Sequence, residues 1–213
     1  AHWPGLQVAS VMTHLSSAEE GGQDAWTAEQ GAAYHRFYED LVMELGYRPI
    51  RHLANTPGVV RHPHLHGDMV RLGIGLFGDS PVEADRACLQ PVVHVQTRIS
   101  HLQTIPPGEG VSYGHQDAAL HERRVATLPV GYADGFPRAL SFGRGEVLIH
   151  GQRCKVVGAV CMDMTLVDVT GMTVHVGDSV EILGAQMHLH EFAERCGTIS
   201  YEVLMKILFE GLF

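Results

Sequence analysis

Near Asp79-Ser80-Pro81 the chain changes its period, and that change constrains the fold more than any other feature. Before it, elements alternate. Val8 to Met12 is a short apolar, β-branched run, and Ser16 three residues ahead of Glu19 predicts a capping box. A helical pattern follows from about Trp26 to Leu45. Tyr34, Phe37, Tyr38, Leu41 and Leu45 make its apolar face, Glu29, Arg36 and Glu39 mark the wet one, and Gly46 ends it. Ile50 to Ala54 reads as the next strand, stopping at Asn55-Thr56-Pro57-Gly58, and Met69 to Phe77 reads as another. Strand, helix, strand, short helix, strand is the rhythm of parallel α/β units.

After the change come closely spaced short strands: Val92 to Ile99, Val125 to Val130, Glu146 to Ile149, Lys155 to Val160, Leu166 to Val169 and Ser179 to Leu183. Pro106-Pro107-Gly108, Gly143-Arg144-Gly145, His150-Gly151 and Val176-Gly177-Asp178 punctuate them, which predicts a β-sandwich or barrel closed by a helix over Leu189 to Cys196. The boundary falls near residues 82 to 88, giving an α/β part (1–84) and an all-β part (85–213). Three strands cannot close a sheet, and a parallel barrel takes eight strand–helix units over roughly 250 residues. The first part therefore reads as the C-terminal units of a (β/α)8 barrel whose beginning is absent.

Composition excludes several classes. No apolar run approaches ~20 residues, so no membrane span is expected. Ala1-His2-Trp3-Pro4 shows no signal peptide, and Cys88, Cys154, Cys161 and Cys196 lack C-x-x-C or zinc spacing, so a cytoplasmic protein with reduced thiols is expected. A net charge of -9 with 15 neutral histidines argues against a nucleic-acid partner. Of the 15 Lys and Arg residues only two, Lys155 and Lys206, are lysines, leaving 13 arginines. Chemistry that needs a Schiff-base lysine must use one of those two or borrow from outside the chain.

In a parallel barrel the working face lies at the strands' C-terminal ends. His14, His52, Asn55-Thr56 and Arg71-Leu72-Gly73-Ile74 all fall near such ends. The two histidines have an ordinary hydrogen-bonding alternative, and Thr56 before Pro57 has one in turn chemistry. Arg71 stands inside an apolar run, and a buried guanidinium needs partners. Glycine-spaced N–H groups beside it could cradle a phosphate. In the second part, Val130 to Arg138 is a strand end breaking into turn chemistry around Tyr132, whose plain alternative is a tyrosine closing a β-turn. Val157 to Met164 is a strand entering a tight turn. Cys161 has no base visibly paired with it and is not expected to act as a nucleophile. Thr198 to Tyr201 reads equally as a helix cap.

Together these segments resemble the alanine racemase family. His52-Leu53-Ala54-Asn55-Thr56 resembles its H-x-A-N-S element, and the run from Asp68 to Gly78 its R-x-G strand. Gly131-Tyr132-Ala133-Asp134-Gly135 resembles its G-Y-x-D-G turn, Cys161-Met162-Asp163 its C-M-D turn, and Gly197 to Glu202 its T-I-x-Y-E segment. The likeness runs from residue 6 to about 205. It implies pyridoxal 5'-phosphate as cofactor, L- and D-alanine as substrates, D-alanine for peptidoglycan as product, two-base proton transfer at Cα, and a homodimer with shared active sites. By resemblance, Tyr132 would be the catalytic base, acting at the partner subunit's site. Arg71, oriented by His52, would face the pyridine nitrogen. Thr56, Gly73, Ile74 and Tyr201 would hold the phosphate, and the Met162 N–H would bind the substrate carboxylate.

The departures also carry expectations. Neither Lys155 nor Lys206 matches the family's Schiff-base lysine, so the chain alone is expected to be inactive. Thr56 stands for the usual serine, Phe77 for a tyrosine, and Ile207 to Phe213 leaves the family's pattern. The alternatives are a serine or broad-specificity racemase and a non-catalytic folding or dimerisation remnant. The wording around Arg71 and Cys161 is most similar to racemase modules fused behind a UDP-N-acetylmuramoyl-tripeptide–D-alanyl-D-alanine ligase.

Overall fold

The structure is a computed structural model that describes residues 5–115 and 117–210. The start at Ala1 to Pro4 and the last three residues of the divergent tail lie outside them. The chain divides into two compact units, Ala1–Leu89 and Gln90–Phe213.

The first unit is built on two parallel strands. β1 (Ser10–Met12) and β2 (Ile50–His52) pair with Ser10 opposite Ile50, Val11 opposite Arg51 and Met12 opposite His52. Between them α1 (Asp24–Leu45) returns the chain, and Gly46 stops it in the left-handed region at φ 74° with its N–H on Val42 O. Thr27, Gly31, Tyr34 and Tyr38 form the buried seam of α1. Tyr34 and Tyr38 pack with Leu53, and their hydroxyls donate to Val11 O (2.9 Å) and Pro49 O (2.6 Å). Phe37, expected on the buried face, is 58% exposed. Two strands make a surface too narrow to cover a helix beyond one seam.

Two local expectations fail here. Residues 16–19 form a bend and a turn rather than a helix start, and a 3-10 turn at Gly21–Gln23 leads into α1 instead. Ser16 Oγ is occupied as acceptor for Trp26 Nε1 at 3.1 Å. The stretch from Met69 is not a strand either. It runs beside β2, with Arg71 N on Ala54 O at 2.9 Å, but Thr56 Oγ1 takes the Gly73 N–H and the chain winds into a 3-10 turn at Ile74–Phe77. A side-chain acceptor has replaced the ladder partner. Thr56 opens α2 (Thr56–Arg61), capped by Asn55 Oδ1 accepting from Gly58 N, and α3 (Glu83–Arg86) follows.

The second unit holds β3 (Val95–Arg98), β4 (His101–Ile105), β5 (Gly110–Val111), β6 (Asp117–Ala118), β7 (Arg123–Leu128), β8 (Glu146–Ile149), β9 (Gln152–Val157), β10 (Thr165–Asp168) and β11 (Ser179–Leu183). Among the described residues seven of them form one sheet in the order β3-β11-β8-β9-β10-β7-β4, each neighbour antiparallel. β5 and β6 form a separate hairpin. β3 and β4 are opposite edges of the sheet yet are joined only by Ile99 and Ser100. Those two residues donate to Asp178 O and Thr127 O, beside the two edges, so the sheet curls until its edges meet. Of the expected sandwich or barrel, this is the curled antiparallel form. Ala126, Leu128, Val147, Ile149, Val156, Val167 and Val180 share one buried face of it, and Val125 on the other face packs with Val111, Ala119 and Val157. α4 (Leu189–Cys196) packs Phe192 edge-on against Phe136 at 5.7 Å, and Gly197 (φ 71°) separates it from α5 (Ser200–Glu210). Among the described residues no helix is long and apolar enough to cross a membrane.

Candidate active site

In the first unit the candidate residues gather where β1 and β2 end. Arg71 Nη1 donates to His52 O at 2.7 Å and lies 3.1 Å from His52 Nδ1. Its Nη2 donates to Thr13 O (3.0 Å) and Leu53 O (3.2 Å), with His14 Nδ1 at 3.5 Å. A guanidinium can only donate, so His52 Nδ1 is the acceptor and the ring proton sits on Nε2. Among the described residues no carboxylate pairs with Arg71. Strand-end carbonyl dipoles hold the side chain in one direction and leave its charge uncancelled. That is the geometry for polarising or orienting a group set against it.

Thr56 lies beside this cluster. It is buried, and its Oγ1 accepts from Gly73 N at 2.9 Å and Gly75 N at 3.4 Å. A Cβ on Gly75 would lie 2.9 Å from Thr56 Cγ2, so the glycine is what lets the two segments close. Thr56, Gly73 and Ile74 are thus brought together with His52 and Arg71. His14 joins them through the Arg71 contact.

In the second unit two turns are locked face to face. Tyr132 begins the 3-10 turn Tyr132–Asp134, whose Asp134 carboxylate accepts from Gly131 N at 2.9 Å. Tyr132 N donates to Cys161 O (3.0 Å) and Ala133 N to Met162 O (2.9 Å). Contact is so close that a Cβ on Gly131 would lie 2.3 Å from Met162 O. The carbonyls of the Cys161–Met162 turn therefore face inward, and among the described residues nothing accepts from the Met162 N–H. The Met162 side chain is exposed. Cys161 Sγ lies near Ser112 Oγ (3.5 Å) and Ala159 O (3.6 Å), and among the described residues no base bonds it. Tyr201 stands in the first turn of α5, where Thr198 Oγ1 and Lys206 both bond the Glu202 carboxylate. Lys206, with Thr198 behind it, holds that carboxyl below the usual range. Both lysines belong to the second unit: Lys155 on β9, Lys206 in α5.

Sequence reading missed a second phenol at this place. Tyr113 follows Ser112, a non-glycine residue in the left-handed region at φ 62°, and precedes Gly114 at φ 82°. Ser112 Oγ donates to Ala159 O at 2.8 Å, so this turn rests on the same 158–164 segment that carries Met162. Tyr113 is 76% exposed against 38% for Tyr132. The available signal was the glycine directly after a tyrosine in Val111-Ser112-Tyr113-Gly114.

Residues 1–81 match the family model for the alanine racemase N-terminal domain, and residues 92–209 match that for the alanine racemase C-terminal domain. An alanine racemase of Nostoc sp. is 41% identical over 212 residues, 94% of this chain and 53% of the relative. One of Symbiobacterium thermophilum is 40% identical over 210 residues, 95% of this chain and 55% of the relative. The chain thus spans about half the length of the curated relatives it matches. Among solved structures, Clostridium difficile 630 alanine racemase in complex with cycloserine matches with TM-score 0.83 and 36% identity over 92% of this chain and 53% of that one. Bartonella henselae alanine racemase with covalently bound pyridoxal phosphate matches with TM-score 0.83 and 29% identity over 93% and 54%.

Proposed function

The chain belongs to the alanine racemase family, and we propose that it forms part of the active centre of a cytoplasmic enzyme interconverting L- and D-alanine and so supplying D-alanine for peptidoglycan. The observation that carries this reading is Arg71, directed by three strand-end carbonyls and His52 with its charge uncancelled. The first unit fits pyridoxal 5'-phosphate. Arg71, oriented by His52, would face the pyridine nitrogen, and Thr56, Gly73 and Ile74 would hold the phosphate; the family resemblance adds Tyr201, which stands in the second unit. Bound there, the cofactor supplies the electron sink that makes the substrate Cα–H acidic. Arg71, a guanidinium that does not give up its proton, cannot hand one to the ring nitrogen, which limits that sink and disfavours side reactions.

The remaining work falls to the second unit. The Met162 N–H, turned outward because its carbonyl is held by Ala133 N, would take the substrate carboxylate. Racemisation removes a proton from one face of Cα and returns one to the other, so two acid/base groups must flank it. The resemblance assigns one role to Tyr132, and geometry offers Tyr113 as well. Tyr113 has the stronger claim. It projects further, and its turn carries the backbone strain that gathers at functional sites. Tyr132, pinned by its main chain to Cys161, then lines the same turn. Either phenol, with a reference pKa near ~10, needs a cation nearby to work as a base at neutral pH. We place both across a homodimer interface, with the second base, a lysine, absent from this chain.

The test is D-alanine formation from L-alanine with pyridoxal phosphate, with and without a polypeptide carrying the cofactor-anchoring lysine. No turnover is expected from this chain alone, and turnover when complemented. Tyr113→Phe is expected to slow the complemented reaction by on the order of 10²-fold or more and Tyr132→Phe by less than about tenfold. The reverse order returns the role to Tyr132, and turnover by the isolated chain overturns the lysine argument. Chiral analysis across alanine, serine and lysine sets the substrate.

A further inference from the structure

We propose that Asp117 is a positioning residue that clamps the turn bearing Tyr113 onto the segment bearing Met162. Asp117 begins the short strand β6, and its two carboxylate oxygens face different partners. Oδ2 accepts from the Gly158 N–H at 2.9 Å, and Oδ1 accepts from Arg123 Nη1 at 3.1 Å. Arg123 is in turn anchored through Nε, 3.5 Å from Asp168 Oδ2 on β10. The clamp therefore spans a hairpin strand, two strands of the sheet and the turn after β9.

Its other half is steric. Gly158 adopts φ 65°, and a Cβ there would lie 2.7 Å from Ser112 Cβ and 2.8 Å from Val111 O. Ser112 sits against this bare backbone and donates to Ala159 O at 2.8 Å. Left-handed backbone in a serine persists only where the surroundings over-determine it. Asp117 on one side of Gly158 and Ser112 on the other supply that determination. Three and four residues beyond Gly158, the carbonyls of Cys161 and Met162 hold the N–H groups of Tyr132 and Ala133. One carboxylate thus sets the spacing of both phenols and the Met162 N–H. The clamp is a structural claim; its bearing on rate rests on the racemase reading above.

The test compares Asp117→Ala with Asp117→Asn, which keeps an oxygen acceptor for Gly158 but loses the charge facing Arg123. Amide hydrogen exchange is followed on this chain, and steady-state racemase kinetics on the complemented enzyme. In Asp117→Ala the Gly158 amide is expected to exchange roughly tenfold faster or more, with β8 and β11 amides unchanged. The rate kcat is expected to fall about tenfold with KM within about twofold, and Asp117→Asn to recover most of both. Unchanged Gly158 exchange in Asp117→Ala overturns the proposal. So do a released Gly158 with kcat unaltered, failure of asparagine to rescue, or exchange rising equally in β8 and β11. If the unsubstituted complemented enzyme shows no racemisation, the racemase reading falls alone and Gly158 exchange still decides the clamp.

Discussion

At the residue scale, a group's surroundings decide its chemistry more than its type does. Arg51 and Arg71 illustrate the point from opposite sides of β2. Arg51 makes a two-pronged pair with Asp68, Nε to Oδ2 and Nη2 to Oδ1, both at 2.9 Å, and adds its own N–H to Oδ2. Those bonds bring the Asp68 carboxyl down to about 2 from an ordinary 3.8. A depressed carboxylate contributes stability that is present above its unfolded value and lost as pH falls through the folded one. The window is therefore about pH 4 to 2. Both side chains are substantially exposed, so the contribution is below ~1 kcal/mol. Chemical unfolding at pH 4 and pH 2 is expected to show a loss in the natural protein that Asp68→Asn lacks. An equal loss in both would remove Asp68 as its source. Arg71 has only carbonyls and histidines, and its charge stays available. The sequence marked Arg71 because a cation in an apolar run needs partners. It did not mark Tyr113 or Asp117, whose support comes from residues 41 to 47 positions further along the chain.

At the element scale, strong local signals survived folding. β8, β11 and α4 occupy the residues their patterns predicted, because short apolar runs bounded by turn residues, and the helical period of α4, agree with the burial that packing imposes. β4 went unread because it fully buries Ile105 alone, leaving little periodicity. The stretch after Met69 was read as a strand from apolar content, and the Thr56 hydroxyl redirected it. The paired turns at Tyr132 and Cys161 make the sharpest demand. Gly131→Ala would force a methyl into the Cys161 and Met162 carbonyls, at 2.4 and 2.3 Å, where neither turn can give without losing a main-chain hydrogen bond. We expect destabilisation of ~2 kcal/mol or more, read as a lower denaturant midpoint. Gly22→Ala is the control: like Gly131, which is extended at φ -146°, it has no positive φ, but a Cβ there meets only open space. If both cost the same, the close approach is not what requires glycine at 131.

At the scale of the whole molecule, charge and exposed apolar surface set behaviour. The first unit leaves Leu6, Phe37 and Met43 largely exposed, so solubility leans on charge. Net charge is -9 with histidines neutral, and the sequence pI is about 5.9. Light scattering is expected to rise as pH falls from 8 towards 6, where the net charge nears zero, and to fall again on return. Scattering independent of pH would show that charge does not keep the chain dispersed. The sequence by itself determined the division into an α/β part and an all-β part, the helix α1 and its glycine stop, and the residues around Arg71. Those follow from periodicity and chain-local sterics. Only the tertiary structure decided the strand order, the curl forced by Ile99–Ser100, the pinning of Tyr132 to Cys161 and the second phenol at Tyr113. Each of those depends on hydrogen bonds between segments far apart in the chain, whose partners no local pattern names.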